Sequence, residues 1–142
     1  MKLRFTLSLL SVFALTYSSP FASAQQSAKD WVSLSAETGE IMINAPGFAP
    51  SKAVSSAFFN ADGKNQAVRT KGNKLIGKVE TSTADTPFGE AVVTRATYGQ
   101  DASPYQYTLT LKRLKNLRAF TVQGVFHNRS DKDTNLNHID LL

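Results

Sequence analysis

The C-terminal segment FHNRSDKDTNLNHIDLL, residues 126–142, carries both histidines of the chain together with several aspartates and asparagines. Asp131, Asp133 and Asn135 occupy the first, third and fifth positions of an EF-hand calcium loop. Such a loop needs Gly at its sixth position and Glu at its twelfth, where this chain has Leu136 and Leu142. The EF-hand motif is therefore not matched, and weak calcium binding by the three oxygen-bearing side chains stays open.

The two histidines suggest a zinc site as a second possibility. If the last two strands form a hairpin that pairs Phe126 with Ile139, then His127 lies opposite His138 on the solvent face, and Asp140 points outward as well. A catalytic zinc ion needs three protein ligands, and a structural zinc ion usually needs four. We therefore expect a pair of surface histidines rather than a metal centre.

The remaining residues form no recognisable catalytic set. Nucleophilic catalysis needs Ser or Thr beside a base, and the Gly-x-Ser-x-Gly pattern is absent. Glycoside hydrolysis needs two facing carboxylates, but most of the eleven acidic residues stand beside turn residues, where they cap turns or face solvent. The chain has no cysteine, which excludes a thiol nucleophile and a disulfide framework. The sequence thus assigns no catalytic residue, no metal and no cofactor.

Aromatic residues offer a different chemistry, the binding of sugars. An aromatic ring stacks on the apolar face of a pyranose while its polar atom stays hydrated. Tyr105 and Tyr107 share one face of a predicted strand with two leucines, which favours core packing for both. We therefore name Trp31 and Tyr98 as the candidate carbohydrate contacts, with core packing as the alternative.

The elements that would position these residues follow an export signal. Residues 1–24 have a basic start, an apolar middle and the small-x-small ending Ala-Ser-Ala, which predicts a signal peptide cleaved after Ala24. A buried N-terminal strand or helix is the alternative. Loss of Lys2 and Arg4 on cleavage lowers the formal net charge from +5 to +3. We expect an exported protein of bacterial origin, periplasmic or extracellular, without a membrane segment once the signal is removed.

Charge and length indicate which class of protein the mature region, residues 25–142, belongs to. Its lysines and arginines are scattered rather than grouped into a stripe, which argues against a nucleic-acid partner. A single domain of this length buries enough apolar surface to fold without disulfides. Short segments with turn residues between them then predict an all-β protein.

The strand patterns define the expected architecture. YQYTLTLKRL, residues 105–114, alternates strictly between apolar and polar side chains, and Asp62-Gly63 marks a tight turn between two strands. Gly124, in the middle of the strand LRAFTVQGVFHN, indicates a bulge or a close neighbouring backbone. Outside the signal no apolar period of three to four persists over a dozen residues. About eight or nine short strands therefore predict an antiparallel β-sandwich.

The second half of the chain resembles a known family. DTPFGEAVVTRATY and YTLTLKRLKNLRAFTVQGVFHNRSDKDTNLNHIDLL are similar to the N-terminal β-sandwich of large glycoside hydrolases in the α-galactosidase and raffinose-synthase clan. The likeness rests on the loop Asp85 to Gly89, the strand Phe120 to Asn128, the turn Ser130 to Lys132, and the positions Leu136, Ile139 and Leu142.

The resemblance implies a function without assigning catalytic residues. In that clan a (β/α)₈ barrel carries the catalytic aspartates and follows the sandwich, and no part of this chain matches the barrel. The resemblance therefore implies a non-catalytic sandwich of a secreted carbohydrate-active enzyme, truncated at its C-terminus, with the missing barrel as its partner. The alternative is a self-contained exported module that binds an oligo- or polysaccharide or serves in adhesion.

Overall fold

The computed structural model describes residues 11–14 and 31–142. These residues form eleven strands and no helix. The strands are β1 (Ser11–Ala14), β2 (Val32–Leu34), β3 (Ile41–Ile43), β4 (Ser51–Ala53), β5 (Ser56–Ala61), β6 (Lys64–Arg69), β7 (Lys74–Thr86), β8 (Gly89–Gly99), β9 (Tyr105–Leu114), β10 (Ala119–Asn128) and β11 (Asn135–Asp140). The predicted all-β class is confirmed.

Three antiparallel sheets build the sandwich. The largest has the order β1-β10-β9-β8-β7, a second has the order β11-β5-β6, and a third has the order β2-β3-β4. Within the large sheet, neighbouring strands of residues 74–128 follow one another in sequence, because each is joined to the next by a hairpin. The predicted antiparallel sandwich is thus the observed architecture.

The core lies between the large sheet and the two small ones. The period-two pattern of β9 is confirmed, since Tyr105, Tyr107, Leu109 and Leu111 are all buried. Phe120 and Val122 of β10 join them, as does Trp31, which directly precedes β2. The two small sheets contribute Val32, Ile41, Ala57, Phe59, Ala61 and Val68. Burial of these apolar surfaces is the main force that holds the sheets together.

A buried hydrogen-bond chain links the two layers of the sandwich. Ser55 Oγ lies 2.8 Å from the Asp140 carbonyl oxygen, to which it donates, and 2.6 Å from the Tyr107 hydroxyl. Because the Ser55 proton is committed to Asp140, the Tyr107 hydroxyl donates to Ser55. Burial raises the pKa of Tyr107 to about 12. The bond to Ser55 satisfies the Tyr107 hydroxyl, which would otherwise be unpaired in the core.

Gly124 leaves room for this phenol. It pairs regularly with Leu109, so the strand has no bulge there. A Cβ atom at this position would lie 2.1 Å from the Tyr107 hydroxyl oxygen. The sequence correctly indicated a close neighbour, but the neighbour is a side chain rather than a backbone. The predicted Asp62-Gly63 turn is present, with φ of 50° and 74° at the two residues.

The expected hairpin between the last two strands is wrong. β10 pairs with β9, whereas β11 pairs with β5 in the other layer. His138 consequently lies opposite Phe58, against which its ring stacks at 4.5 Å, and not opposite His127. With this pairing Leu136 and Ile139 pack against the core, and the Ser55 side chain bonds both Tyr107 and the Asp140 backbone. The proposed pairing of the two histidines is therefore excluded.

The predicted signal peptide lies mostly outside the described residues. Its cleavage site after Ala24 falls in the undescribed part, and only β1 within it is described, as a backbone strand paired with Ala119–Val122. None of the described residues forms a helix long and apolar enough to cross a membrane.

Candidate functional site

The outer face of the large sheet, turned away from the core, contains a shallow groove of about 370 Å³. It crosses β7, β8, β9 and β10, and its volume lies within the range of small-molecule sites. Polar and charged side chains form most of its lining, which consists of Glu80, Ser82, Val93, Arg95, Thr108, Thr110, Lys112, Gln123 and Val125.

Strand register explains why these residues meet. Successive side chains of a strand alternate between faces, so the residues between the core positions of β9 all point outward. Thr110 is directly opposite Arg95 on one side and Gln123 on the other, and Glu80 is opposite Arg95 on β7. Four strands thus contribute one row of side chains across the floor of the groove.

A second polar row closes one end of the groove. The Thr108 hydroxyl oxygen lies 2.9 Å from Thr97 Oγ1 and 3.0 Å from His127 Nε2. Thr108 has a single hydroxyl proton and therefore donates to at most one of these partners, and the direction of each bond depends on the Thr97 hydroxyl and on the His127 tautomer. This row leaves Thr108 only 3% exposed, although its strand position faces outward. It fixes the side chains at this end in defined positions.

An acceptor without a donor lies next to this row. Gln106 stands opposite His127 and Gly99 on the same outer face. Its Oε1 atom is buried and has no hydrogen-bond partner in the described part of the chain. A buried amide oxygen ordinarily bonds to a protein group or to an ordered water.

The lining of the groove contains both hydrogen-bond donors and acceptors. Ser82 and Thr110 both donate and accept, Glu80 accepts, and Arg95 and Lys112 donate. Two valines, Val93 and Val125, supply small apolar areas. The residues that the structure describes contain no cluster of three or more His, Cys, Asp or Glu side chains able to hold a metal ion. Among its lining residues the groove has one carboxylate, that of Glu80, whereas glycoside hydrolysis ordinarily uses two.

The two aromatic residues named from the sequence lie elsewhere. Trp31 is 8% exposed and packs edge-on against Phe120, with ring centroids 5.5 Å apart. Tyr98 is 1% exposed on the core face of β8, and burial raises its pKa. Stacking on a sugar needs an exposed ring face, so neither ring takes part in the groove in this structure. Their role as carbohydrate contacts stays a prediction from the sequence.

The aspartate-rich segment forms a turn held by an asparagine. Asn128 Oδ1 accepts from the Ser130 backbone amide at 2.9 Å, and its Nδ2 donates to the Lys132 carbonyl at 2.8 Å and to Thr134 Oγ1 at 2.9 Å. Lys132 in turn bonds Asp62 at 2.8 Å, which ties the turn to the β5–β6 hairpin. The polar residues of this segment therefore include turn-forming groups, as asparagine and serine commonly are.

A smaller cavity of about 220 Å³ lies between β6 and the residues that precede β9. Phe59 and Tyr105 contribute aromatic surface to it, and Gln66, Asn73 and Gln100 contribute amides. The Asn73 amide oxygen is already engaged, since it accepts from the Arg69 backbone amide at 2.7 Å. The volume falls below the usual range for ligand sites, so the outer groove is the stronger candidate.

Sequence reasoning missed the groove. The alternation of β9 does place Thr108, Thr110 and Lys112 on one face, which is the only local signal of it. The contributions of β7, β8 and β10 depend on strand order and register, which no short pattern reveals.

Comparison with known proteins gave no match to this chain. No protein-family model and no curated protein matches the sequence, and no solved structure matches the fold.

Proposed function

We propose that the chain is a non-catalytic carbohydrate-binding β-sandwich of an exported, carbohydrate-active protein, and that the outer groove holds the sugar. The groove itself carries the proposal, because it combines hydroxyl, amide, carboxylate and guanidinium groups on one rigid sheet face. A sugar presents several hydroxyls that each donate and accept, so it needs this mixture of donors and acceptors. Paired strands hold the backbone beneath these side chains in place, so binding does not have to order the backbone.

The size of the groove agrees with a short sugar segment. An open groove of about 370 Å³ accommodates a part of a chain whose remaining units extend into solvent. The small apolar areas of Val93 and Val125 suit the C–H groups of a pyranose in the absence of an aromatic platform. We therefore expect weak, polymer-directed binding rather than tight capture of a free monosaccharide.

A bulky substitution at the centre of the groove tests this function. Thr110→Trp fills the floor between Arg95 and Gln123 while it retains a residue type that strands favour. We expect it to lower retention on a panel of immobilised polysaccharides at least tenfold, without loss of the folded β-sheet spectrum.

The matched control is Thr83→Trp on β7, because Thr83 pairs with Val92 and points to the opposite face from Ser82. Its retention should equal that of the unmodified protein. Absence of retention of the unmodified protein across a broad glycan panel contradicts the proposal, as does equal retention of the two tryptophan variants.

A second candidate places the sandwich beside a catalytic domain, as the resemblance to the α-galactosidase clan implies. It is supported by two exposed apolar side chains at one end of the large sheet, Phe88 at 64% exposure and Leu117 at 50%. Phe88 lies in the β7–β8 turn and Leu117 between β9 and β10, at the end of the sheet where the Lys115 backbone amide donates to the Glu90 carbonyl at 2.9 Å. Exposed apolar side chains of this kind commonly mark an interface. A reading frame after the codon of Leu142 that encodes alternating strands and helices would support this candidate, and an unrelated gene there would contradict it.

A further inference from the structure

Two cationic side chains in the groove lack an ion partner. Arg95 and Lys112 have no carboxylate within 4.0 Å among the residues that the structure describes, although Glu80 stands opposite Arg95. Five other lysines are paired with Glu40, Glu90, Asp62 or Asp101; these lysines are Lys52, Lys71, Lys74, Lys115 and Lys132. Exposed cations without a carboxylate partner among the described residues also occur elsewhere, at Lys64, Lys78, Arg118 and Arg129, but Arg95 and Lys112 line one groove together.

The two cations are close enough to act on one group. Arg95 is opposite Thr110, and Lys112 follows Thr110 by two residues on the same face. Diagonal neighbours of this kind have Cα atoms roughly 7–8 Å apart, within reach of both long side chains. Together with Glu80 they leave the lining with one net positive charge. A guanidinium matches the planar geometry of a carboxylate, and an ammonium adds a second donor from a different direction.

We infer that the sugar recognised by the groove is acidic, with a uronic acid carboxylate held between Arg95 and Lys112. This inference rests on the proposed carbohydrate-binding function. Glu80, on the far side of Arg95, accepts hydroxyl protons of the same or the next sugar unit, and it repels a second carboxylate. The groove thereby selects a polymer in which anionic and hydroxyl groups alternate along the chain.

The test compares acidic polymers with ester forms that lack the negative charge. Polygalacturonate and alginate are each compared with their esters, methyl polygalacturonate and propylene glycol alginate, and neutral galactan and glucan serve as further ligands. Binding is measured by isothermal titration calorimetry at low and at moderate salt. We expect at least one acid polymer to bind about tenfold more tightly than its ester, and the difference to shrink as salt screens the exposed charges.

Substitutions of Arg95 and Lys112 test whether these two residues cause the preference for the acid form. Arg95→Gln or Lys112→Gln alone should weaken binding of the acid form about threefold, which is the scale of an exposed charge pair, and the double variant about tenfold. Binding of the ester should not change. The control double variant, Lys64→Gln with Arg118→Gln, removes the same charge from exposed positions outside the groove and should bind as the unmodified protein does.

The outcomes separate this inference from the proposed function. Equal binding of acid and ester forms, or binding of neutral polymers alone, overturns the acidic specificity and leaves carbohydrate binding intact. A preference for acid polymers that survives the double variant also overturns it, because the charge would then act from another surface. Failure of every polysaccharide to bind overturns both.

Discussion

Replacement of Gly124 by alanine tests the packing that holds the two layers of the sandwich together. The new methyl group would lie 2.1 Å from the Tyr107 hydroxyl oxygen and 2.8 Å and 2.9 Å from two ring carbons. Tyr107 is fully buried and bonds Ser55, which in turn bonds the Asp140 backbone. The ring cannot shift without disturbing a contact between the large sheet and the β11-β5-β6 sheet.

The expected cost follows from three contributions. Overpacking of a core typically costs about 1–3 kcal/mol, and a weakened buried hydrogen bond costs about 1 kcal/mol. Replacement of glycine reduces the freedom of the unfolded chain and stabilises the protein by about 0.4–1 kcal/mol. We therefore expect Gly124→Ala to lower the free energy of unfolding by about 1–3.5 kcal/mol.

Urea unfolding of four proteins forms the assay: the unmodified chain, Gly124→Ala, Tyr107→Phe and the double variant. Removal of the hydroxyl removes the closest contact, so the alanine should cost at least about 1 kcal/mol less in the Tyr107→Phe background. Gly99→Ala is the control, since its closest neighbour is the flexible end of the half-exposed Ile76 side chain at 2.8 Å. A neutral or stabilising Gly124→Ala, or an equal cost in both backgrounds, would refute this reasoning.

Three further predictions concern pH and the polar turn. The pKa of Tyr107 is raised from 10.0 to about 12 in the folded state, so the unfolding free energy should fall as pH rises from 10 towards 12. Urea titrations should show a smaller fall for Tyr107→Phe than for the unmodified protein. The pKa of Glu40 is lowered, chiefly by the hydrogen bond from Lys71 and also by the charge of Lys52. Its contribution to stability is therefore complete above pH 4.5 and lost as pH falls through the folded value, and Glu40→Gln should flatten the acid limb of the stability curve. Asn128→Ala should lower the unfolding free energy by about 1–2 kcal/mol, because it removes several turn hydrogen bonds. The control Asn135→Ala, at an exposed position, should change the unfolding free energy by less than about 0.5 kcal/mol. Equal effects of the two alanines would contradict the assigned role of Asn128.

Local patterns in the sequence predict the parts of the fold that depend on neighbouring residues. The alternation of β9 places Tyr107 in the core, and Asp62-Gly63 forms the predicted turn, because both depend on backbone geometry over a few residues. The pairing of β11 could not be predicted in the same way. Its partner β5 lies far earlier in the chain, so the pairing is a long-range contact that no short pattern reveals.

The groove illustrates the same limit for the candidate site. Thr110 and Lys112 are visible as polar positions of an alternating strand, but such positions usually mean only a solvated face. Glu80, Arg95 and Gln123 belong to three other strands, and only the register of the sheet brings them into one row with Thr110. The aromatic residues attract attention in the sequence because of their type, and burial of Trp31 and Tyr98 is a consequence of tertiary packing that their type does not reveal.

The most direct test of the proposed function is a map of the ligand contact surface by NMR. Backbone amide shifts of the isotope-labelled protein would be followed during titration with an acidic oligosaccharide and, separately, with a neutral one. If the groove binds the sugar, the largest shifts should occur at Glu80, Arg95, Thr110, Lys112 and Gln123, and smaller shifts should occur towards the strand ends. Shifts confined to another surface, or no shifts with either class of oligosaccharide, would contradict sugar binding by this face of the sheet.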